Sequence, residues 1–299
     1  MKYVPKEIDQ NVNRPKEHPL VDFVWLIVGT AVGIAILVFL AVQLSSSVAD
    51  RISMEKEVEL VDNQFGWKGK EGNTPPTAGT QAKSEAKDLQ FADERRQLQS
   101  LVDQLWLPFS PEASLHLRSS IDPAPFENAY MGLGGRMAVT TGLLENSESE
   151  NELGFVICHE IGHFVHRDVI RGLSTRFMLM AALSLLGLSD NNLGVVNLGV
   201  DSSLLSYSRD QESKADEFAV SCASQKYGHI EGFDTFFVRA TKKNPKILDN
   251  KFFQYMSTHP ISEERIKHLR DYASIKGVSP EGPLTQQTLW KKKAPQEAQ

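Results

Sequence analysis

One uncharged segment near the N-terminus limits what this chain can fold into more than any other feature. Residues 23–42 read FVWLIVGTAVGIAILVFLAV, and no charged residue occurs between Phe23 and Ala49. A helix of twenty residues is about 30 Å long, which matches the hydrocarbon thickness of a bilayer. The segment therefore predicts a transmembrane helix, assigned to residues 21–43, through which the chain contacts membrane lipid.

Two other interpretations of this segment are a buried core helix and a cleaved signal peptide. A core helix this long and apolar on every side is uncommon. Ser47-Val48-Ala49 has the small residues of a cleavage site, but the apolar region of a signal peptide spans only about 7–15 residues. We expect an uncleaved anchor. Gly29 and Gly33 form a G-x-x-x-G pattern, so a homo-oligomer is compatible with the span.

The basic residues around the span predict its orientation. Four precede it and two follow it closely, namely Lys2, Lys6, Arg14, Lys16, Arg51 and Lys56. Because basic residues accumulate on the cytoplasmic side, this difference predicts an inner (plasma) membrane protein with its N-terminus inside and its main domain periplasmic or otherwise extracytoplasmic.

Composition excludes several classes of protein. The 299 residues include 32 Lys and Arg against 38 Asp and Glu, a net charge of −6 that argues against nucleic-acid binding. The two cysteines, Cys158 and Cys222, are too few for a disulfide framework or a C-x-x-C zinc site. In an oxidising compartment they could pair if they lie close together, but both are expected on helices and facing the core, so we expect free thiols.

The remaining patterns divide the chain into segments. We predict an N-terminal tail, the anchor, a juxtamembrane helix with a glycine- and proline-rich linker, one folded domain and a solvated C-terminal tail, at residues 1–20, 21–43, 44–86, 87–275 and 276–299. Within the domain, helical spacing over Phe91–Trp106 is followed by short strands at Leu115–Arg118 and Ala129–Thr141, and then by helices. Residues 177–200 are expected to form a buried helix and a loop over the cleft. The fold class is mostly α (α+β) with a small β-sheet.

The most specific motif is His159-Glu160-Ile161-Gly162-His163, an H-E-x-x-H pattern. On a helix, histidines four residues apart lie on one face, so both imidazoles can bind one ion. Glu160 is then placed beside that ion, where a carboxylate can act as general base towards a water molecule. The pattern predicts a metal-assisted hydrolase.

A second charged segment supplies further candidate residues. Glu212 and Asp216 are four residues apart and share a helix face. Glu212 completes the two-histidine, one-glutamate set of a catalytic zinc and leaves one position open. Asp216 is placed to accept the outer N–H of a ligating histidine. Alone, this segment would be interpreted as a solvated helix face; together with the first motif it indicates one Zn²⁺ per chain.

Three motifs in this order resemble one protein family. HEIGHFVHRD, SYSRDQESKAD and STHPISEERI are similar to the HtpX-like zinc metalloproteases, which are related to the CaaX prenyl endopeptidases and the mitochondrial stress protease of the Oma type. The resemblance spans about residues 90–270. It implies a gluzincin-like metalloprotease core, endopeptidase activity and polypeptide substrates, including misfolded envelope or membrane proteins in a quality-control role.

The expected reaction is hydrolysis of a peptide bond by a zinc-activated water, with Glu160 as general base. An extended substrate is expected to pair with an exposed strand edge, for which the segment at residues 132–135 is a candidate. By the resemblance, His259 and Arg265 lie near the active site and serve in oxyanion stabilisation or substrate positioning. The equal alternative is that they belong to the start of a helix with a charged outer face.

Two competing hypotheses remain at this point. The chain could be a non-proteolytic scaffold or chaperone-like module in which zinc is structural and has four protein ligands. It could also be an anchored interaction protein without a metal.

Overall fold

The structure of the chain is a computed structural model that describes residues 19–64, 91–110, 115–185, 207–242, 259–260 and 262–290. The described residues form mostly helices and one three-stranded sheet, which confirms the predicted fold class at that level. Most of the predicted N-terminal tail, nearly all of the predicted linker, the loop after residue 185 and the last nine residues lie outside the described residues.

Two helices precede the folded domain. Helix α1 runs from Pro19 to Arg51, and α2 from Met54 to Gln64. Within the described part of the chain, α1 is the one helix long and apolar enough to cross a membrane, and its apolar stretch at Pro19–Leu40 is not buried against the rest of the protein. The predicted apolar helix therefore extends about two turns beyond the assigned span.

The sheet has the strand order β1-β3-β2, formed by Arg118–Asp122 (β1), Ala129–Gly132 (β2) and Arg136–Thr140 (β3). Strand β3 is central, parallel to β1 and antiparallel to β2. This arrangement leaves β2 as an edge strand.

The first strand begins later than predicted. Leu115 and Leu117 are buried, but their carbonyl oxygens accept hydrogen bonds from side chains of the preceding helix, from Trp106 Nε1 at 2.7 Å and Gln99 Nε2 at 2.8 Å. Because these carbonyl groups are bonded to a helix, regular pairing with β3 starts only at Arg118. The prediction of a strand at Leu115–Arg118 was wrong in its bounds.

The glycines between β2 and β3 form a tight turn. Leu133–Gly135 is a 3₁₀ turn in which Gly134 and Gly135 have φ of 68° and 66°. A Cβ atom on Gly135 would lie 2.6 Å from Cδ2 of Leu117. The positive φ therefore favours glycine at this position, and a larger residue would also displace the Leu117 side chain.

Seven helices complete the described fold, namely α3 (Ala92–Trp106), α4 (Thr141–Asn146), α5 (Glu150–Val165), α6 (Asp168–Leu185), α7 (Arg209–Tyr227), α8 (Thr235–Lys242) and α9 (Glu263–Ile275). Helix α5 is buried over nearly its whole length and packs on α7 and the sheet. A Cβ atom on Gly162 of α5 would lie 2.9 Å from Cα of Ala215 in α7. The two helices therefore approach closely at this glycine.

This close approach corrects the prediction for the cysteines. Cys158 of α5 and Cys222 of α7 form a disulfide bond, with Cα atoms 5.8 Å apart. Both positions do face the core, as expected, but they face it from opposite sides of the same helix–helix contact. The prediction of free thiols was therefore wrong.

The C-terminal segment, expected to be a solvated tail, packs on the domain as far as the described residues go. Leu289 is buried, and the Trp290 ring lies 5.1 Å from the Phe91 ring. The backbone N–H of Thr285 donates to Asn151 Oδ1 at 2.7 Å, close to the start of α5. The described fold therefore reaches Trp290.

The helix expected over residues 177–189 is part of α6, which packs along α1. Near the start of α6, Arg171 Nη2 lies 2.6 Å from Oδ1 of Asp50. The loop expected to follow it lies outside the described residues.

Candidate metal centre

Four buried side chains converge between α5, α7 and the segment before α9. They are His159, His163, Glu212 and His259, and one potential ligand atom from each lies within 4.8 Å of all the others. The sequence places the first two on successive turns of α5, whereas Glu212 lies in the first turn of α7. Ser208 and Gln211 form a capping box that fixes where α7 begins.

The separations between the donor atoms fit one ion. Nε2 of His163 lies 3.1 Å from Nε2 of His159 and 3.4 Å from Oε1 of Glu212. The distance from His159 Nε2 to Glu212 Oε2 is 3.6 Å. Ligands about 2.0–2.1 Å from a tetrahedral zinc ion are separated by about 3.3 Å. Nitrogen and carboxylate donors at these distances therefore suit zinc.

His259 also contributes to this cluster. Its Nδ1 lies 2.9 Å from Oε1 of Glu212 and 3.3 Å from Nε2 of His159. The resemblance implies oxyanion stabilisation or substrate positioning for His259; in the structure its nitrogen is close enough to the other donor atoms to be a fourth ligand. Burial lowers the pKa of His259 and of His159, so both imidazoles are neutral at neutral pH and can donate a lone pair.

Glu160 is fully buried beside the histidines. Its Oε2 accepts a hydrogen bond from the backbone N–H of Met131 in β2 at 3.1 Å, and its Oε1 lies 3.4 Å from Nε2 of His259. Burial raises the pKa of Glu160 to about 7, against the opposing effect of His163 and His159. A carboxyl group with a pKa near neutrality can both accept and release a proton.

Two further carboxylates orient the histidines from outside. Oδ1 of Asp216 lies 2.9 Å from Nδ1 of His159, and Oδ2 of Asp168 lies 2.9 Å from Nδ1 of His163. Both contacts leave Nε2 of the histidine for the centre of the cluster. Gln211 Nε2 donates to Oδ1 of Asp168 at 2.9 Å and holds this carboxylate in place.

Arg265 lies next to the cluster, where it pairs with Glu212 and with the outer carboxylate of Asp216, and its Nη2 lies 3.4 Å from Nε2 of His159. Its Nε and Nη2 lie 2.6 and 2.9 Å from the carboxylate oxygens of Asp216, and its Nη1 lies 2.5 Å from Oε2 of Glu212. Although burial opposes ionisation, Arg265 lowers the pKa of Asp216. The contacts of Arg265 suit a role in positioning these acids. A role of Arg265 in oxyanion stabilisation or substrate positioning, as the resemblance implies, stays a prediction.

The sequence did not single out Asp168 or Tyr207. Asp168 is visible in the pattern HFVHRD, as an acid at the start of the helix that follows the H-E-x-x-H helix, but only the fold brings it back to His163. The ring of Tyr207 stacks on that of His163, with centroids 3.8 Å apart and an angle of 14° between the planes. Burial raises the pKa of Tyr207 well above its usual value, so this ring stays neutral. No spacing in the sequence indicates this contact.

Comparison with known proteins identifies relatives that share 24–31% sequence identity with about half of this chain. Metalloprotease LoiP of Escherichia coli K12 is 31% identical over 159 residues, which are 50% of this chain and 60% of that protein. Mitochondrial metalloendopeptidase OMA1 of Schizosaccharomyces pombe is 30% identical over 158 residues, which are 50% of this chain and 44% of that protein. The beta-barrel assembly-enhancing protease of Escherichia coli K12 is 24% identical over 165 residues, covering 49% of this chain and 32% of that protein.

These alignments span between 32% and 60% of the length of the three relatives. The family profile of peptidase family M48 matches residues 88–273, which is more than half of the chain. The matched range includes all four residues of the cluster. This match confirms the family predicted from the three motifs, and the chain belongs to peptidase family M48.

Proposed function

We propose that the chain is a membrane-anchored, zinc-dependent endopeptidase with a gluzincin-type centre. The observation that carries this proposal is the convergence of His159, His163 and Glu212 next to the buried carboxylate of Glu160. When bound there, zinc supplies a Lewis acid that lowers the pKa of a water molecule and polarises a carbonyl group. The names of the M48 relatives, a metalloprotease and a metalloendopeptidase, support the same reaction class.

The surrounding side chains orient the ligands, transfer the proton and compensate the buried charge. Asp216 and Asp168 keep His159 and His163 in the tautomers that turn Nε2 towards the ion. Glu160 accepts a proton from the attacking water and returns it to the leaving amine, for which a pKa of about 7 is well matched. Arg265 compensates the buried charge of Asp216 and Glu212.

The edge strand β2 supports a mode of substrate binding. In an antiparallel pair, alternate residues point their backbone groups away from the partner strand. Met131 does so, because its N–H donates to Glu160 and not to β3. An extended polypeptide added to this edge would therefore lie alongside the candidate centre.

The segment at residues 132–135, expected to provide that edge, does not suit this role. Most of it is the 3₁₀ turn Leu133–Gly135, whose backbone is not extended and cannot pair with a strand along its length. We therefore assign substrate pairing to β2.

Substitution of Glu160 tests the proposal. With the full chain in detergent and an unfolded casein-type substrate, Glu160→Gln is expected to lower turnover by about 10²–10⁴-fold while keeping one zinc per chain. Glu145→Gln, at an exposed position in α4, is the matched control and keeps full activity. Full turnover by Glu160→Gln would contradict the assignment of Glu160 as general base.

The position of His259 favours a second candidate function. Four protein donors lie within 4.8 Å of one another, and a structural zinc normally has four protein ligands. In a scaffold protein, His259→Ala would weaken zinc binding, and neither form would cleave a polypeptide. The spectrum of the cobalt-substituted chain distinguishes the two, since an open position gives a band that changes when an inhibitor with a metal-binding group is added.

We further infer that α1 anchors the chain once in the membrane and that the domain lies on the extracytoplasmic side. Besides the distribution of basic residues, the disulfide between Cys158 and Cys222 supports this side, because disulfides persist mainly in oxidising compartments. Alkaline phosphatase fused after residue 64, at the end of α2, should be active, whereas a fluorescent protein that folds only in the cytoplasm should be dark. The reverse pattern would place the domain in the cytoplasm.

We also propose a role in quality control of the cell envelope. One of the relatives is named for assembly of β-barrels, which are membrane proteins of the envelope. Misfolded envelope proteins are therefore the proposed substrate class.

A further inference from the structure

Helix α2, between the anchor and the domain, packs on the turn that connects β2 and β3. Val61 of α2 is largely buried there, and a Cβ atom on Gly134 would lie 2.9 Å from the Val61 Cβ. At the end of α2, Oδ2 and Oδ1 of Asp62 lie 2.7 and 3.0 Å from Nη2 of Arg118 and of Arg136. The helix is thus bound to the sheet by both apolar packing and ion pairs.

Glu57 is the most unusual residue of this contact, because a glutamate is rarely fully buried unless it is paired. Only 3% of its surface is exposed. One oxygen accepts the N–H of Gly134 at 2.8 Å, and the other lies 2.6 Å from Nη1 of Arg167. Burial raises the pKa of Glu57, and the contacts with Gly134 and Arg167 oppose this effect.

Arg167 is the residue that connects Glu57 to the candidate metal centre. It lies between the end of α5 and Asp168, and its φ of 64° is the one positive value at a non-glycine residue in the described chain. Arginine adopts this conformation only when its surroundings hold it. Here Nη1 is paired with Glu57, and Nη2 donates to the carbonyl oxygen of Ile52 at 2.6 Å.

We propose that α2 supports the geometry of the active site and that Glu57 is a positioning residue. It acts on two parts of the site, the turn next to β2 and the turn before α6. Through Gly134, Glu57 fixes the turn next to the edge strand β2. Through Arg167, it fixes the turn that presents Asp168 to His163. The inference rests on the proposed peptidase function and deepens it, since it assigns the geometry of the centre partly to a helix outside the residues matched by the family profile.

The contacts of Glu57 and Arg167 lie directly next to the end of the anchor helix α1. Only Ile52 and Ser53 separate α1 from α2, and Ile52 itself contacts Arg167. The membrane anchor and the turn that carries Asp168 are therefore joined through one short stretch of contacts.

A double-mutant cycle on the full chain in detergent tests the inference. Glu57→Gln keeps an oxygen for the N–H of Gly134 but removes the charge that faces Arg167. Arg167→Gly removes the guanidinium and suits the positive φ, and the double variant leaves neither charge buried without its partner. Each is expected to raise the zinc dissociation constant about tenfold, the lower end of the range for groups that orient a ligand from outside, and to lower kcat more than it raises KM.

If the two residues act through one contact, the zinc affinity of the double variant should fall by no more than about tenfold. Its cobalt spectrum should match those of the single variants. Glu59→Gln, on the exposed side of α2, is the matched control and should bind zinc as the unchanged chain does. Additive losses of about a hundredfold, or a Glu57→Gln variant with unchanged zinc affinity and kcat, would overturn the inference.

The outcome separates this inference from the proposed function. If the unchanged chain cleaves the substrate and Glu57→Gln cleaves it equally well, only the role of α2 fails. If the unchanged chain binds zinc but cleaves nothing, the peptidase proposal fails, and the zinc affinities of the variants still report whether Glu57 and Arg167 are coupled to the metal centre.

Discussion

Nδ1 of His163 lies 2.9 Å from Oδ2 of Asp168, which turns Nε2 of the same ring towards His159 and Glu212. The contact crosses the turn between α5 and α6, so the first residue of one helix orients a candidate ligand on the helix before it. A histidine held in this way has a fixed tautomer and a more basic ligand nitrogen.

Replacing Asp168 should therefore weaken metal binding without removing a ligand. In Asp168→Asn, we expect the zinc dissociation constant to rise about 10–100-fold, because a neutral amide no longer stabilises the charge that His163 shares with the ion. Competition with a chromophoric chelator measures the constant. Asp210→Asn, whose side chain is 75% exposed, is the control, and an equal change in both variants would refute this role for Asp168.

Zinc binding should depend on pH through His163. Burial alone would lower the pKa of this imidazole, but contacts with Asp168 and Glu212 raise it to about 9 in the metal-free chain. Zinc must displace the proton, so the apparent affinity should rise about tenfold per pH unit below pH 9 and level off above it. Calorimetry at pH 7.5 in two buffers with different ionisation enthalpies should detect about one proton released per zinc. Affinity that is constant from pH 6 to pH 9 would contradict the prediction.

The parts of the site that could be predicted from the sequence are those within one helix. The spacing of His159, Glu160 and His163 determines their common face whatever the fold around them. Glu212 was found because the Glu-x-x-x-Asp spacing of a second charged helix supplies a third ligand of a suitable type. Asp168 could not be found in this way, since its contact depends on the angle between α5 and α6.

The disulfide and the packing of the C-terminal segment could not be predicted from the sequence, because both depend on contacts between distant parts of the chain. Cys158 and Cys222 both have positions suited to a core thiol, and only the closeness of α5 and α7 at Gly162 distinguishes a bond from two free groups. The segment up to Trp290 is rich in proline and polar residues, which is typical of a solvated tail. Its attachment depends on partners such as Phe91 and Asn151 that lie far away in the sequence.

Removal of Arg265 should destabilise the metal-free protein strongly. Arg265 is only 8% exposed, and its loss leaves Asp216 as a buried carboxylate without its cation and removes one of the cations that face Glu212. We expect Arg265→Ala to lower the free energy of unfolding by about 3–5 kcal/mol, measured by urea denaturation at pH 7. Arg270→Ala, which removes a side chain that is 58% exposed in its ion pair with Asp234, should cost less than about 1 kcal/mol.

The effect of Arg265 should also depend on pH. Because Arg265 lowers the pKa of Asp216, the stability that this pair contributes is present above the ordinary value of 3.8 and is lost as the pH falls through the lowered pKa. The difference between Arg265→Ala and the unchanged chain should therefore shrink at low pH. A difference that grows on acidification would show that Arg265 acts through something other than these carboxylates.

Loss of the disulfide should lower stability through the unfolded chain. The bond closes a loop with a sequence separation of 64 residues, for which the loop-entropy relation gives about 4 kcal/mol. We expect the double variant Cys158→Ala with Cys222→Ala to lose about 2–4 kcal/mol of unfolding free energy, measured by chemical denaturation of the metal-free chain.

A reducing agent provides the matched control for this prediction. It should destabilise the unchanged chain by a similar amount and leave the double variant unaffected, since only the former has a bond to reduce. Chain purified in detergent and denatured without reductant should show no free thiol, because both cysteines are paired. Two titratable thiols in that sample would refute the bond, and with it the support that the bond gives to an oxidising location for the domain.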